Sequence, residues 1–111
     1  MSEDAKWIVD LFKMQLGCLK NQLMDGKLTY DRFDELSYES WAIEETLLAI
    51  NDYQGYVSVK LIREILRLQL HDYQFYGSSN KPAHRKFNFA AEMIKELLDL
   101  TRGYVSDYEV Y

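Results

Sequence analysis

Few side chains in this sequence could perform acid–base, nucleophilic or metal chemistry. The chain has one cysteine and two histidines, Cys18, His71 and His84, and no pair of them has the CxxC or HxxxH spacing of a metal site. No histidine follows a glutamate by three residues, so the Glu-x-x-His pairs of a di-iron bundle are absent too. Glycine-rich phosphate-binding loops and the GxSxG nucleophile motif are also missing. We therefore expect no catalytic residue, no metal site and no cofactor.

The stretch DGKLTYDRFDEL, which begins at Asp25, has the Asp-Gly pair and the exit helix of a calcium-binding loop. If Asp25 and Gly26 fill loop positions five and six, positions three and twelve fall on Leu23 and Arg32. Leucine offers no oxygen ligand, and arginine would repel the cation. The same residues predict a helix–turn–helix in which Gly26 is a left-handed C-cap and Thr29 is the next N-cap. No calcium site is expected.

Two further side chains could be reactive, and each has a simpler structural interpretation. Glu44 lies beside the apolar face of a predicted helix, where we expect a glutamate to be partly buried. A structural ion pair with Arg67 explains this glutamate more simply. Cys18 falls in an apolar stripe with Trp7 and Met14, so we expect it to be a small buried hydrophobic residue. Neither side chain supports catalysis, and we expect the protein not to be an enzyme.

The composition is that of a single helical domain. A chain of 111 residues that is 48% hydrophobic can bury one modest core. One proline and five glycines argue against a turn-rich β fold. The N-terminal residues MSEDAKW lack the basic start of a signal peptide, and no apolar run approaches the roughly 20 residues of a membrane span. A single cysteine cannot form an internal disulfide, which agrees with a reducing compartment. We therefore expect a soluble, cytoplasmic protein that does not enter a membrane.

The spacing of the apolar residues predicts four helices. Their expected ranges are residues 3–24, 30–51, 58–74 and 82–102, with N-caps at Ser2, Thr29 and Ser58, Pro82 in the first turn of the last helix and Gly103 at its end. Short connections between long helices predict an all-α fold, either a compact four-helix bundle or a related helical array. Residues 1–103 would form this helical domain, and residues 104–111 would form a short aromatic C-terminal tail.

Three of the predicted helices have apolar arcs that are wider than a monomeric bundle requires. On the first helix, one stripe contains Ile8 and Phe12, and a second contains Trp7, Leu11, Met14 and Cys18. Together the stripes span about 200° at 100° per residue. Two explanations stay open: a homodimer or another partner covers the excess, or bulky aromatic residues and a packed tail absorb it.

The net charge of −5 is unevenly distributed along the chain. Residues 27–54 contain two basic and seven acidic side chains, whereas residues 55–103 contain eight basic and five acidic side chains. This asymmetry either steers partners or means that the two segments lie against each other. Acidic side chains interleaved with tyrosines can also imitate phosphate spacing, in the style of small phage and mobile-element proteins that block nucleic-acid enzymes.

We expect a protein that acts by binding another protein, as a regulator or inhibitor of a larger cytosolic machine. Nine tyrosines support this expectation, because tyrosine is enriched at interface hot spots. The candidate partner-binding residues are Glu35, Tyr38, Glu39 and Glu45 on the acidic helix and Tyr104, Tyr108 and Tyr111 in the tail.

The alternative is a nucleic-acid-associated regulator that uses a basic stripe on the third helix, formed by Lys60, Arg63 and Arg67. Phosphate contacts need several cations along one face. The sequence pI is nevertheless about 5.0, whereas a nucleic-acid-binding domain is usually basic. The same stripe could be a solvated face or could pair with the acidic helix, so nucleic acid is the less favoured partner.

Overall fold

A computed structural model describes residues 1–78 and 84–104, and all regular structure within them is helical. The elements are α1 Glu3–Leu23, α2 Tyr30–Asp52, α3 Val59–Gly77 and α4 His84–Leu100, followed by a 3-10 turn at Arg102–Tyr104. The prediction of an all-α four-helix bundle is confirmed, and both ends of the first three helices lie within three residues of the predicted ends. Pro82 lies outside the described residues.

The helix starts follow the predicted capping residues. Ser2, Thr29 and Ser58 each accept a hydrogen bond from the backbone N–H three residues ahead, at 3.1–3.2 Å. Each bond satisfies one of the backbone donors that a helix start leaves without a partner. The short polar residue before each apolar run therefore sets the start of α1, α2 and α3.

The predicted left-handed conformation of Gly26 is wrong. No described glycine has a positive φ, and α1 ends at Leu23. Asp25 makes the turn instead: its carboxylate accepts a hydrogen bond from the Lys27 N–H at 3.0 Å, and its carbonyl accepts one from the Leu28 N–H at 3.3 Å. An aspartate that bonds to the backbone two residues ahead closes a turn without a left-handed residue.

The core lies where α2, α3 and α4 meet, with α1 at one edge. α4 packs extensively on α3 and α2, whereas α1 packs mainly on α2. None of the described helices combines the length and the apolar character that crossing a bilayer requires. The largest fully buried hydrophobic side chains are Ile8, Phe12, Leu36, Ile43, Ile62, Leu66, Met93, Ile94 and Leu97.

The second apolar stripe of α1 faces outward, contrary to the expected burial of Cys18. Trp7 is 59% exposed, Met14 is 68% exposed and Cys18 is exposed. Because α1 lies at the edge of the bundle, only the face that contains Ile8 and Phe12 is covered by its neighbours. Most of the excess apolar arc predicted for this helix is therefore surface within the described chain, and Leu11 is its half-buried member.

Candidate functional site

The start of α4 lies against the acidic N-terminal half of α2 through Arg85. Its guanidinium lies 3.5 Å from a carboxylate oxygen of Glu35, 3.8 Å from one of Asp34 and 3.9 Å from one of Asp31. These carboxylates lie together because the first turns of α2 present them on the side that faces α4. The acidic segment, residues 27–54, and the basic segment, residues 55–103, are therefore in contact here, and this contact offsets part of their opposite charges.

Aromatic rings complete the surroundings of Arg85. Its guanidinium carbon lies 5.3 Å from the ring centroid of Phe89 on α4 and 6.0 Å from that of Tyr38 on α2. A guanidinium at these distances is attracted to the negative face of an aromatic ring. The half-buried Tyr38 is thus held at the junction of α2 and α4.

A second group of carboxylates extends this surface along α2. Glu35 pairs with Arg32 at 3.0 Å. Burial raises the pKa of the Glu39 carboxyl above its usual value, Arg32 opposes the rise, and Glu96 and Glu35 add to it. Asp31, Asp34 and Glu35 thus lie against the Arg85 guanidinium, and Glu39 is acted on by the charges of Arg32, Glu35 and Glu96. These five acids and two arginines carry a net charge of −3. We call this set, together with Tyr38 and Phe89, the α2–α4 acidic surface.

Glu45 is set apart from the other predicted residues of this helix. The structure brings Glu35, Tyr38 and Glu39 together within two turns of α2, whereas Glu45 lies almost two turns beyond Glu39. Its negative charge acts on Tyr73, whose pKa is raised first by burial. The predicted acidic face is therefore divided between two neighbourhoods.

An aromatic cluster adjoins the acidic surface and joins three helices. The Trp41 ring on α2 lies 5.3 Å from Tyr73 on α3 and 6.0 Å from Phe87 on α4, centroid to centroid. The Lys86 ammonium lies 3.9 Å from the centroid of Trp41. The sequence grouped Arg85 and Lys86 with the basic stripe and did not place them against α2, because each contacts a helix that is more than 40 residues away in sequence. Adjacent cations at the start of a helix were the available signal.

The residues of the predicted basic stripe have different environments. Lys60 and Arg67 are exposed, whereas Arg63 donates a 3.1 Å hydrogen bond to the Leu98 carbonyl and another to the Thr101 hydroxyl. Burial, followed by the nearby guanidinium of Arg67, lowers the pKa of Arg63. One of the three cations is thus committed to contacts with the end of α4.

The predicted tail residues are only partly within the described chain. Tyr104 is half-buried, packs against the core and helps to line a cavity of about 390 Å³ with Tyr56 and the N-terminal residues of α1 and α3. Tyr108 and Tyr111 lie outside the described residues. Only the first of the three tail tyrosines therefore lies in the described part of the chain.

A larger groove separates α1 from the second half of α2. It has a volume of about 660 Å³, and its apolar lining includes Val9, Leu47 and Ile50. Glu44 at this groove pairs with Lys20 at 3.2 Å, so the ion pair suggested with Arg67 is replaced by one with α1. Within residues 1–78 and 84–104, no three His, Cys, Asp or Glu side chains are placed to hold a metal ion.

Comparison of the chain with known protein families, with curated proteins and with solved structures finds no match. The interpretation of its surfaces therefore rests on their own geometry and charge.

Proposed function

We propose that this chain is a non-catalytic protein that binds another protein through the α2–α4 acidic surface and so regulates or inhibits a larger cytosolic machine. The observation that carries the proposal is the net charge of −3 around Tyr38, which persists after Arg32 and Arg85 are counted. Glu35, Tyr38 and Glu39 form its centre. Glu45, Tyr104, Tyr108 and Tyr111 are proposed as further contacts, and the protein is proposed to act as a homodimer.

The chemistry of this surface favours a partner with a basic patch. Carboxylates along a helix can occupy positions that phosphates take in a nucleic acid, so a nucleic-acid-binding surface is the kind of patch that fits best. Complementary charge speeds the encounter and fixes the orientation of a complex. Tyr38 supplies an aromatic contact at low entropic cost, as hot-spot residues do.

The contacts of Arg85 support the same proposal. Because this guanidinium lies among three carboxylates and two rings, it restricts the orientations of the acidic side chains before a partner arrives. A surface with fixed side chains loses less conformational entropy on binding than one that must be ordered.

The nucleic-acid alternative has less support. Arg63 is occupied by Leu98 and Thr101, so the stripe offers only Lys60 and Arg67 as exposed cations. Two cations provide a small electrostatic contribution to phosphate binding. Titration with duplex and single-stranded DNA at low salt tests this alternative, which predicts an affinity that falls steeply as salt is added.

The proposal is tested by capture from a lysate of the native host. Immobilised wild-type protein is compared with the charge reversals Glu35→Lys and Glu39→Lys combined, and with a matched control that combines Glu64→Lys and Asp72→Lys on exposed positions of α3. Both double variants change the net charge equally, and circular dichroism checks that both stay helical. A specific partner should be lost by the first variant and kept by the second. Equal capture by all three proteins would exclude this surface.

A further inference from the structure

The outer face of α1 carries an apolar stripe that the described chain leaves mostly exposed, with only Leu11 half-buried. Trp7, Leu11, Met14 and Cys18 follow one another at spacings of four, three and four residues, which places them within an arc of about 60°. The first and third of these side chains are among the most exposed large hydrophobic residues of the described chain. The stripe runs for about 16 Å along the helix. Contiguous exposed apolar patches are typical of interaction sites.

Gly17 lies at the edge of this stripe, in the interior of α1. A glycine in a helix interior costs about 1 kcal/mol relative to alanine. Its φ is not positive, and a Cβ placed on it would meet no atom within 4 Å. Nothing within the described chain therefore requires a glycine at this position. A missing side chain beside an apolar stripe lets another surface approach the helix closely.

The spacing of the stripe is the same in both directions along the helix, which makes the stripe self-complementary. If two copies of α1 pack antiparallel, Trp7 of one copy lies opposite Cys18 of the other, and Leu11 lies opposite Met14. In knobs-into-holes packing, the indole would enter the hole between Met14, Gly17, Cys18 and Asn21 of the second copy. Trp7, the largest side chain of the stripe, would then pack against the small residues Gly17 and Cys18 of the second copy.

The charges that flank the stripe favour the antiparallel arrangement over the parallel one. All flanking acids lie in the first half of α1, at Glu3, Asp4 and Asp10, and the second half contributes the amides of Asn21 and Gln22. A parallel pair would place Glu3 beside Asp4 of the other copy. An antiparallel pair places Glu3 beside Asn21 and Asp4 beside Gln22, and it also aligns opposite ends of the two helix dipoles.

We propose that the outer face of α1 binds a second copy of this chain in an antiparallel arrangement, with Trp7 packed on Gly17 and Cys18 of that copy. This inference assigns the contact face of the homodimer and does not depend on the α2–α4 acidic surface, which lies on other helices. Stable interfaces bury about 800 Å² per partner, and four side chains over three turns form a smaller contact. We therefore expect a weak dimer, with a dissociation constant on the order of micromolar.

Light scattering after size-exclusion chromatography tests the dimer. At about 100 μM, well above a micromolar dissociation constant, wild type should have twice the chain mass of 13.2 kDa. Trp7→Ser with Met14→Ser should run as a monomer, whereas Leu68→Ser, at an equally exposed leucine of α3, should remain a dimer. Gly17→Leu adds a side chain that the monomer can accommodate, so it should keep its helicity and weaken association by at least about tenfold.

Disulfide trapping tests the direction of packing. Under oxidising conditions, Trp7→Cys should link to the native Cys18 of the second copy, and peptide mass analysis should identify that linkage. Trp7→Cys with Cys18→Ala should not link. A monomeric wild type, a dimer that is unaffected by the Trp7, Met14 and Gly17 changes, or a predominant Cys18–Cys18 linkage in wild type would each overturn the proposal. None of these outcomes alters the lysate experiment on Glu35 and Glu39, so the two proposals fail separately.

Discussion

The guanidinium of Arg63 on α3 donates a 3.1 Å hydrogen bond to the backbone carbonyl of Leu98 in the last turn of α4. The carbonyls of a final helical turn lack the usual N–H partner four residues ahead, and this carbonyl also accepts hydrogen bonds from the Thr101 backbone N–H at 3.1 Å and the Thr101 hydroxyl at 2.7 Å. The same guanidinium also donates to the hydroxyl of Thr101, which is fully buried. Arg63 and Thr101 therefore close the end of α4 together, Arg63 from a neighbouring helix and Thr101 from the residue that follows α4.

This contact predicts a stability difference between two arginines of one helix. Arg63→Ala should lower the free energy of unfolding by about 1–2 kcal/mol, because hydrogen bonds from a charged donor to α4 are lost. Arg67→Ala, at an exposed position four residues on, should change it by less than about 0.5 kcal/mol. Urea unfolding of both variants checks the prediction, and equal losses would mean that Arg63 does not cap α4.

The orientation of α1 predicts unequal effects of two aromatic truncations. Phe12→Ala removes a fully buried ring and should lower the free energy of unfolding by about 3–5 kcal/mol. Trp7→Ala removes a larger ring that is mostly exposed, so its cost should be much smaller. Denaturant unfolding at low micromolar concentration, where self-association contributes little, measures both. A larger cost for Trp7 would show that α1 presents the other face to the core.

The environment of Glu39 predicts a dependence of stability on pH. Burial raises the pKa of its carboxyl above 4.5, with Arg32 opposing and Glu96 and Glu35 adding to the rise. The folded chain then binds this proton more tightly than the unfolded chain, so ionisation lowers stability as pH rises above 4.5. Glu39→Gln should therefore stabilise the protein at neutral pH and lose that advantage below about pH 4, where the wild-type carboxyl is protonated.

Thermal unfolding across this pH range provides the measurement for Glu39. Glu64→Gln, at an exposed position of α3, is the matched control and should show no gain of the same size. A destabilised Glu39→Gln at neutral pH would contradict the account, because it would mean that the charged form is the one that the fold favours.

The ion pairs of Arg85 predict a salt-sensitive contribution to stability. They are 3.5–3.9 Å long and partly exposed, and exposed pairs contribute at most about 1 kcal/mol each. Arg85→Gln should lower the free energy of unfolding by about 1 kcal/mol at low salt, and the loss should shrink as salt screens the charges. Arg102→Gln serves as the control, because it breaks an exposed ion pair with Asp99, three residues earlier in the chain, and this pair does not join two helices. A loss that does not change with salt would show that Arg85 acts by packing on its aromatic neighbours.

Local chemistry made the helices predictable from the sequence. Ser2, Thr29 and Ser58 each precede an apolar run at a spacing that allows one hydrogen bond to the new helix, and this signal depends on neighbouring residues only. Periodicity also identified two stripes on α1. It could not show which stripe would be covered, because that depends on where α1 lies relative to α2.

The surface features depended on contacts between distant segments. Glu35 and Tyr38 could be identified as acidic and aromatic residues of one helix, but their contacts with Arg85 join residues about 50 positions apart. Arg63 had the spacing of a basic stripe, yet its hydrogen bonds to Leu98 and Thr101 cross from α3 to the end of α4. Helical periodicity gives the face of a residue and does not give its partner across the bundle.

The affinity of the purified partner for three forms of the protein tests the proposed function most directly. Isothermal titration calorimetry compares wild type, Glu35→Lys with Glu39→Lys, and the control Glu64→Lys with Asp72→Lys. The account predicts that the first double variant binds about 100-fold more weakly, which corresponds to about 2.7 kcal/mol, while the control stays close to wild type. Equal affinities for all three forms would contradict the assignment of the α2–α4 acidic surface as the binding site.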